Sequence, residues 1–253
     1  MMNNEIEFQR QLVIGNRYRL MLLRPATVGD GIGVLSDPEM YQKQYTQALR
    51  QGLRPQRFIP ASGAATRMFS QPTDLTAALM RQLDIGVAHA AYPKLLLPFH
   101  CYADGSVRTA LEEHLREAAI AGVDATHTVR LHLTISAEHL AAFREHCKLL
   151  LPGLESELSV KFLLEHSCQD SGTDTVVFDA RGEALRMPDG TLQRRPGGHG
   201  ALIANLNRLE PGELVFIKNV DNVQREECRR ETVLWLQALG GVVLDRVSRR
   251  GAE

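Results

Sequence analysis

Hydrophobic residues along the chain fall into two alternating spacings. Over 128–135, Val129, Leu131, Leu133 and Ile135 recur at every second position, which predicts a strand with one face buried. Phe58-Ile59-Pro60-Ala61 and Leu214-Val215-Phe216-Ile217 are short apolar runs that predict buried strands, and 158–164 predicts another. A short β-branched piece lies at 175–178, and Pro188-Asp189-Gly190 marks a turn between two extended segments. Helical stretches separate these runs, at 37–50, 73–83, 107–121, 136–150, 200–209 and 224–239. Asp37 and Pro38 supply an N-cap and a first-turn proline, and Ser136 is a second candidate cap. Residues 5–35 carry little pattern. The alternation predicts an α/β fold with a mainly parallel sheet. It divides the chain into a lead-in with one helix over 1–56 and an α/β domain over 57–253.

Composition narrows the function classes. With 253 residues, 44% hydrophobic and 23% charged, the chain can bury a full core without disulfides or a structural metal. Its 29 basic and 30 acidic residues give a net charge of −1. No basic excess supplies the phosphate attraction of a nucleic-acid binder or the polybasic attraction to a membrane surface. No window holds the roughly 18 apolar residues of a membrane span, and the first residues lack a signal-peptide pattern. Four cysteines stand far apart with no C-x-x-C, which points to a reduced, cytoplasmic protein. The nine histidines, including His139 and His146 on one helix face, show no zinc-ligand spacing. Arg246 to Arg250 read as a solvated basic end after an apolar, strand-like run.

Four segments could carry chemistry. Pro60-Ala61-Ser62-Gly63-Ala64-Ala65-Thr66-Arg67-Met68 ends a strand in small residues that let backbone N–H groups approach a phosphate, with Arg67 adding charge. The same residues also suit a plain strand-to-helix turn. Lys94, between Pro93 and an apolar run, is held near the sheet, where an ammonium can neutralise a phosphoryl group; it could equally flank a strand. Arg195-Pro196-Gly197-Gly198-His199-Gly200 surrounds one His with backbone freedom and suits a ligand loop; the alternative is an ordinary loop before a helix. Asp221, just past an apolar strand, stands where parallel sheets bind ligands and could hold Mg²⁺; the alternative is a helix cap.

Taken in order, these segments resemble a known family. Pro-Ala-Ser-Gly-Ala-Ala-Thr-Arg-Met at 60–68, Lys94 before Leu95-Leu96-Leu97-Pro98-Phe99, Leu111-Glu112-Glu113-His114-Leu115, the Pro-Gly-Gly-His-Gly loop and Val220-Asp221-Asn222 resemble bacterial domain-of-unknown-function family 4301 over nearly the whole chain. More distantly, over about 57–222, they resemble UDP-sugar pyrophosphorylases. The resemblance implies that chains of the family are longer than this one, which would correspond to their N-terminal part. The resemblance implies a Rossmann-like nucleotide-diphosphosugar transferase sandwich of GT-A type. It implies that Ala61, Ser62, Gly63, Ala64, Ala65 and Thr66 form a nucleotide loop, with Arg67 on the β- and γ-phosphates and Lys94 on the α-phosphate as catalytic residues. Gly197, Gly198, His199 and Gly200 would bind the base or ribose, and Asp221 would hold Mg²⁺. The implied reaction is Mg²⁺-dependent transfer of a nucleotidyl group from a nucleoside triphosphate to a sugar-1-phosphate, with release of pyrophosphate. Two other functions stay open on the same scaffold: a non-catalytic module that binds a nucleotide or nucleotide sugar, and a glycosyltransferase. Each has small-molecule partners, with neither nucleic acid nor membrane.

Overall fold

The computed structural model describes residues 2–14, 21–62, 77, 80, 81, 92–210 and 214–250. In chain order its early elements are α1 (Met2–Val13), β1 (Thr27–Val28), β2 (Gly31–Ile32), α2 (Pro38–Arg50), β3 (Gln56–Pro60), β4 (Pro98–Cys101) and β5 (Val107–Thr109). There follow α3 (Ala110–Ala121), β6 (Thr128–Thr134), α4 (Leu140–Leu158), β7 (Lys161–Ser167), β8 (Thr175–Val176), β9 (Arg194–Arg195), α5 (Ile203–Leu206), β10 (Val215–Ile217) and α6 (Glu226–Arg250). Contacts group the chain into two compact units, one of 1–36 with 169–204 and one of 37–168 with 205–253. Neither unit is a continuous stretch.

The larger unit is α/β. Four strands form one sheet in the order β10-β3-β6-β7, and every neighbouring pair is parallel. The expected α/β class with a parallel sheet is therefore present. Alternation sends Ile59, Val129, Leu131, Leu133 and Phe162 into the core beneath Leu111 and Leu115 of α3 and Phe143, Cys147 and Leu154 of α4. On the opposite face Phe58 stacks on His132, with ring centroids 5.6 Å apart. The Asp37 carboxylate accepts the Met40 N–H and Pro38 begins α2, as read from the sequence. That helix lies against α6, where two consecutive glycines let the backbones meet. A Cβ on Gly241 would fall 2.0 Å from the Tyr41 carbonyl oxygen, and one on Gly240 would fall 2.7 Å from the Tyr45 ring.

Several boundaries differ from expectation. The segment 107–121 opens as strand β5 paired to β4, and Thr109 then caps α3 by accepting the Glu112 N–H. The helix expected at 136–150 starts later and continues through Pro152 to Leu158, where Ser159 ends it in a left-handed conformation (φ 53°). Ser136 makes no cap of it; its hydroxyl meets His139 Nδ1 at 2.5 Å. The following strand is thereby displaced from 158–164 to Lys161–Ser167. Residues 200–209 form a 3₁₀ turn, His199–Leu202, and the single-turn α5. The last helix does not stop at 239. Gly240 and Gly241 are its contact with α2, so the strand-like Val242-Val243-Leu244 and the basic Arg246–Arg250 are helical. Residues 73–83, expected as a helix, lie outside the described residues apart from the helical 77, 80 and 81.

The smaller unit is an antiparallel meander with a helix on it. β8 pairs β9, with bridges Phe178↔Ala184 and Arg186↔Leu192. Gly182 and Gly190 turn it with φ of +84° each, a conformation that favours glycine. α1, unforeseen in the lead-in, is fastened there by Arg10 Nε to the Gly182 carbonyl (2.7 Å), by the Val176 N–H to Gln9 Oε1 (2.8 Å) and by Arg194 to Glu5 (3.2 Å).

Candidate functional site

A parallel sheet gathers its strand-following loops at one edge, where ligands of such folds bind. In the larger unit this carboxyl edge carries Ala61 and Ser62 after β3, Ile135 and Ser136 after β6, Cys168 after β7, and Lys218-Asn219-Val220-Asp221 after β10.

Lys94 and Asp221, 127 positions apart in sequence, meet with Nζ to Oδ2 at 3.2 Å. Lys94 opens a 3₁₀ turn, Lys94–Leu96, directly after Pro93. Leu95 and Leu97, almost wholly buried, pin that turn, so the ammonium is held as the sequence led us to expect. Asp221 is half exposed and sits in the turn closed by the Asn222 N–H on the Asn219 carbonyl. It is five residues short of α6 and caps nothing there.

The Asp221 segment is held from below by α3. Lys218 Nζ bonds both Glu117 oxygens, at 2.6 and 2.7 Å, and Arg57 from β3 bonds Glu117 Oε1 at 2.7 Å. His114 Nε2 donates to the Val220 carbonyl at 3.0 Å. Because Nε2 carries the proton, Nδ1 is an unprotonated acceptor, and it is buried with no partner. Burial first, then the charge of Arg57, pushes the His114 pKa down to about 3, so the ring is neutral. Burial also draws the Lys218 ammonium below its ordinary value, opposed by the charge and hydrogen bonds of Glu117. One turn earlier Glu113 receives His100 Nδ1 (2.9 Å), the Tyr102 hydroxyl (2.5 Å) and Arg229. Burial pushes that carboxyl up, but these partners outweigh it and keep it below the usual range.

The remaining carboxyl-edge residues are tied to one another. The Ala61 N–H donates to Thr134 Oγ1 at 3.0 Å, so this buried amide serves the end of the sheet. Half-buried Ser62 follows it. Ser167 Oγ meets His132 Nε2 and receives Asn205 Nδ2, both at 2.8 Å. Gly63, Ala64, Ala65, Thr66 and Arg67 lie outside the described residues.

The Pro-Gly-Gly-His-Gly loop belongs to the smaller unit. Its glycines do not use the left-handed region: Gly197, Gly198 and Gly200 all lack positive φ. Space, rather than dihedral freedom, requires glycine at Gly197, where a Cβ would lie 2.7 Å from the Thr173 carbonyl oxygen. Gln169 Nε2 donates to the Gly197 carbonyl at 3.2 Å. Gly198, His199 and Gly200 are exposed, and His199 begins the 3₁₀ turn.

Sequence reading missed Arg57, His114, Glu117, Thr134 and Lys218. A signal existed: Glu113, His114 and Glu117 interrupt the apolar face of α3, and Arg57 stands at the start of a strand with Phe58 and Ile59 directly after it. Charged residues are almost never fully buried unless paired.

Among the described residues, no three of His, Cys, Asp and Glu gather as a metal-binding group, and no helix is long and apolar enough to cross a membrane. The fold and its edge thus define a parallel α/β protein with a charged pair where such folds take ligands. Residues 1–82 and 73–250 match the family described as Domain of unknown function (DUF4301), and the chain belongs to that family. No curated protein matches it.

Proposed function

We propose that the larger unit binds the phosphates of a nucleoside triphosphate at the carboxyl edge of its sheet and transfers a nucleotidyl group to a sugar-1-phosphate. On this reading the fold is a Rossmann-like nucleotide-diphosphosugar transferase sandwich of GT-A type. The observation that carries it is the meeting of Lys94 and Asp221 beyond the end of β10. An ammonium and a carboxylate held together, partly exposed, at this edge suit a phosphate and its counter-ion. Lys94 would turn its charge to the α-phosphate, and Asp221 would take the metal. The residues fit Mg²⁺, which needs few protein carboxylates when phosphate oxygens and waters complete its shell. When bound, the ion neutralises phosphate charge.

In the reaction a sugar-1-phosphate oxygen attacks the α-phosphorus. The bond from that phosphorus to the bridging oxygen breaks, and pyrophosphate leaves with the electron pair. This chemistry needs positioning and charge neutralisation more than a protein nucleophile. The clamp of His114, Glu117 and Lys218 under the Asp221 segment supplies the rigid support. A non-catalytic binding module is the second reading, favoured by the 3.2 Å ion pair itself, which already gives Asp221 a cation.

Calorimetric titration with UTP and Mg²⁺ tests the reading, together with a pyrophosphate-release assay over triphosphates and sugar phosphates. We expect Mg²⁺-dependent binding that Asp221→Ala abolishes, and pyrophosphate release that Lys94→Ala lowers at least tenfold. Binding without release would support the second reading. Absence of binding across the panel would sink both.

A further inference from the structure

α6 is apolar on two sides. One side, with Val233, Ala238, Gly240 and Gly241, is buried in the larger unit. The other side carries Trp235, Leu239, Val243 and Val247 at 44%, 54%, 45% and 64% exposure. Their spacing is four residues throughout, so they form one continuous ridge along the helix surface. A helix that is apolar all round is normally covered all round, and a contiguous exposed apolar ridge marks an interaction site.

The same row continues toward the N-terminus with Glu231 and with Glu227, which lies 3.4 Å from Arg225 of its own chain. At the other end lie Arg246, Arg249 and Arg250, all exposed; Asp245 pairs with Arg249 at 3.0 Å, which leaves Arg246 and Arg250 as the unbalanced charges. The ridge is thus acidic at one end, apolar in the middle and basic at the other. This polarity is self-complementary under a two-fold axis. An antiparallel pair centred on Leu239 sets Trp235 opposite Val243 of the second copy. It brings Glu231 beside Arg246 of the second copy, and Arg250 of that copy between Glu227 and Glu231. A parallel pair would instead set like charges against each other at both ends.

We propose that α6 is the interface of a homodimer, packed antiparallel on a second copy of itself across the ridge Trp235-Leu239-Val243-Val247. The interface is isologous, so each ion pair occurs twice. Closure by the two-fold hides the ridge and leaves no open end for further copies.

Sedimentation equilibrium over 1–100 µM tests this on the full chain, and circular dichroism reports folding of each variant. Wild type is expected to sediment as a dimer. Leu239→Glu should be a folded monomer, since Leu239 is exposed and outside the core. Glu231→Arg should weaken the dimer at least tenfold, and adding Arg246→Glu to it should restore much of the loss. A wild-type monomer across that range overturns the proposal. So does a dimer that Leu239→Glu leaves intact, or a charge swap that fails to restore association.

Discussion

At the scale of single residues, the informative positions are charged groups in apolar places. Glu117 is fully buried on α3 between Arg57 and Lys218, and its one carboxylate pairs with both. Removing one partner of a buried ion cluster leaves its other charges uncompensated, at about 3–5 kcal/mol. Glu117→Ala should therefore cost the folded state roughly that much in urea denaturation, far more than Lys94→Ala at the exposed pair. A loss below about 1 kcal/mol would mean that water reaches the cluster and screens it. Of the candidate site, the two residues of the exposed ion pair were legible at this scale. Lys94 and Asp221 were chosen from their flanks, a proline before one and an apolar strand before the other. Their supporters were not, because Glu117 looks like any surface glutamate until the buried face of its helix is known.

At the scale of elements, the contact of α2 with α6 depends on Gly240 and Gly241. In an isolated helix, replacing glycine by alanine gains about 1 kcal/mol. Here the sign should reverse. The new methyl at 241 would lie 2.0 Å from the Tyr41 carbonyl oxygen, which is backbone and cannot move aside as a side chain can. Gly241→Ala should lower stability by about 1–3 kcal/mol, the usual cost of overpacking. A raised melting temperature would show that the helices are not held this close. The same pair lies just past the expected helix end at 239: two glycines disfavour a helix locally, whereas here they permit a close approach. The late start and long run of α4 have a similar origin. Pro152 falls inside a helix whose Leu154 still faces the core, so packing overrides the local preference against proline.

At the scale of the whole molecule, buried and half-buried histidines couple stability to pH. His114, His132 and His146 all have pKa values drawn below the ordinary 6.5, in each case first by burial. Between the folded and unfolded values the unfolded chain binds more protons, so stability rises with pH. It is complete above about 6.5 and is lost as pH falls toward about 3, the value for His114. Denaturation at pH 7 and pH 5 should show a weaker fold at pH 5, where most carboxylates are still ionised. His114→Gln keeps an N–H donor for the Val220 carbonyl and should flatten the slope; an unchanged slope would show that His114 is not the group responsible.

The sequence by itself determined the α/β class, the parallel strands at Phe58, 128–134 and 215–217, the capped start of α2 and the family. These follow from periodicity, capping chemistry and motif order, all of which are local along the chain. Only the tertiary structure decided that Lys94 meets Asp221, that α3 supports the Asp221 segment with buried charges, and that the smaller unit joins 1–36 to 169–204. Pairings across more than a hundred residues depend on which faces the folded chain buries together, and the spacing of residues along a sequence does not contain that distance.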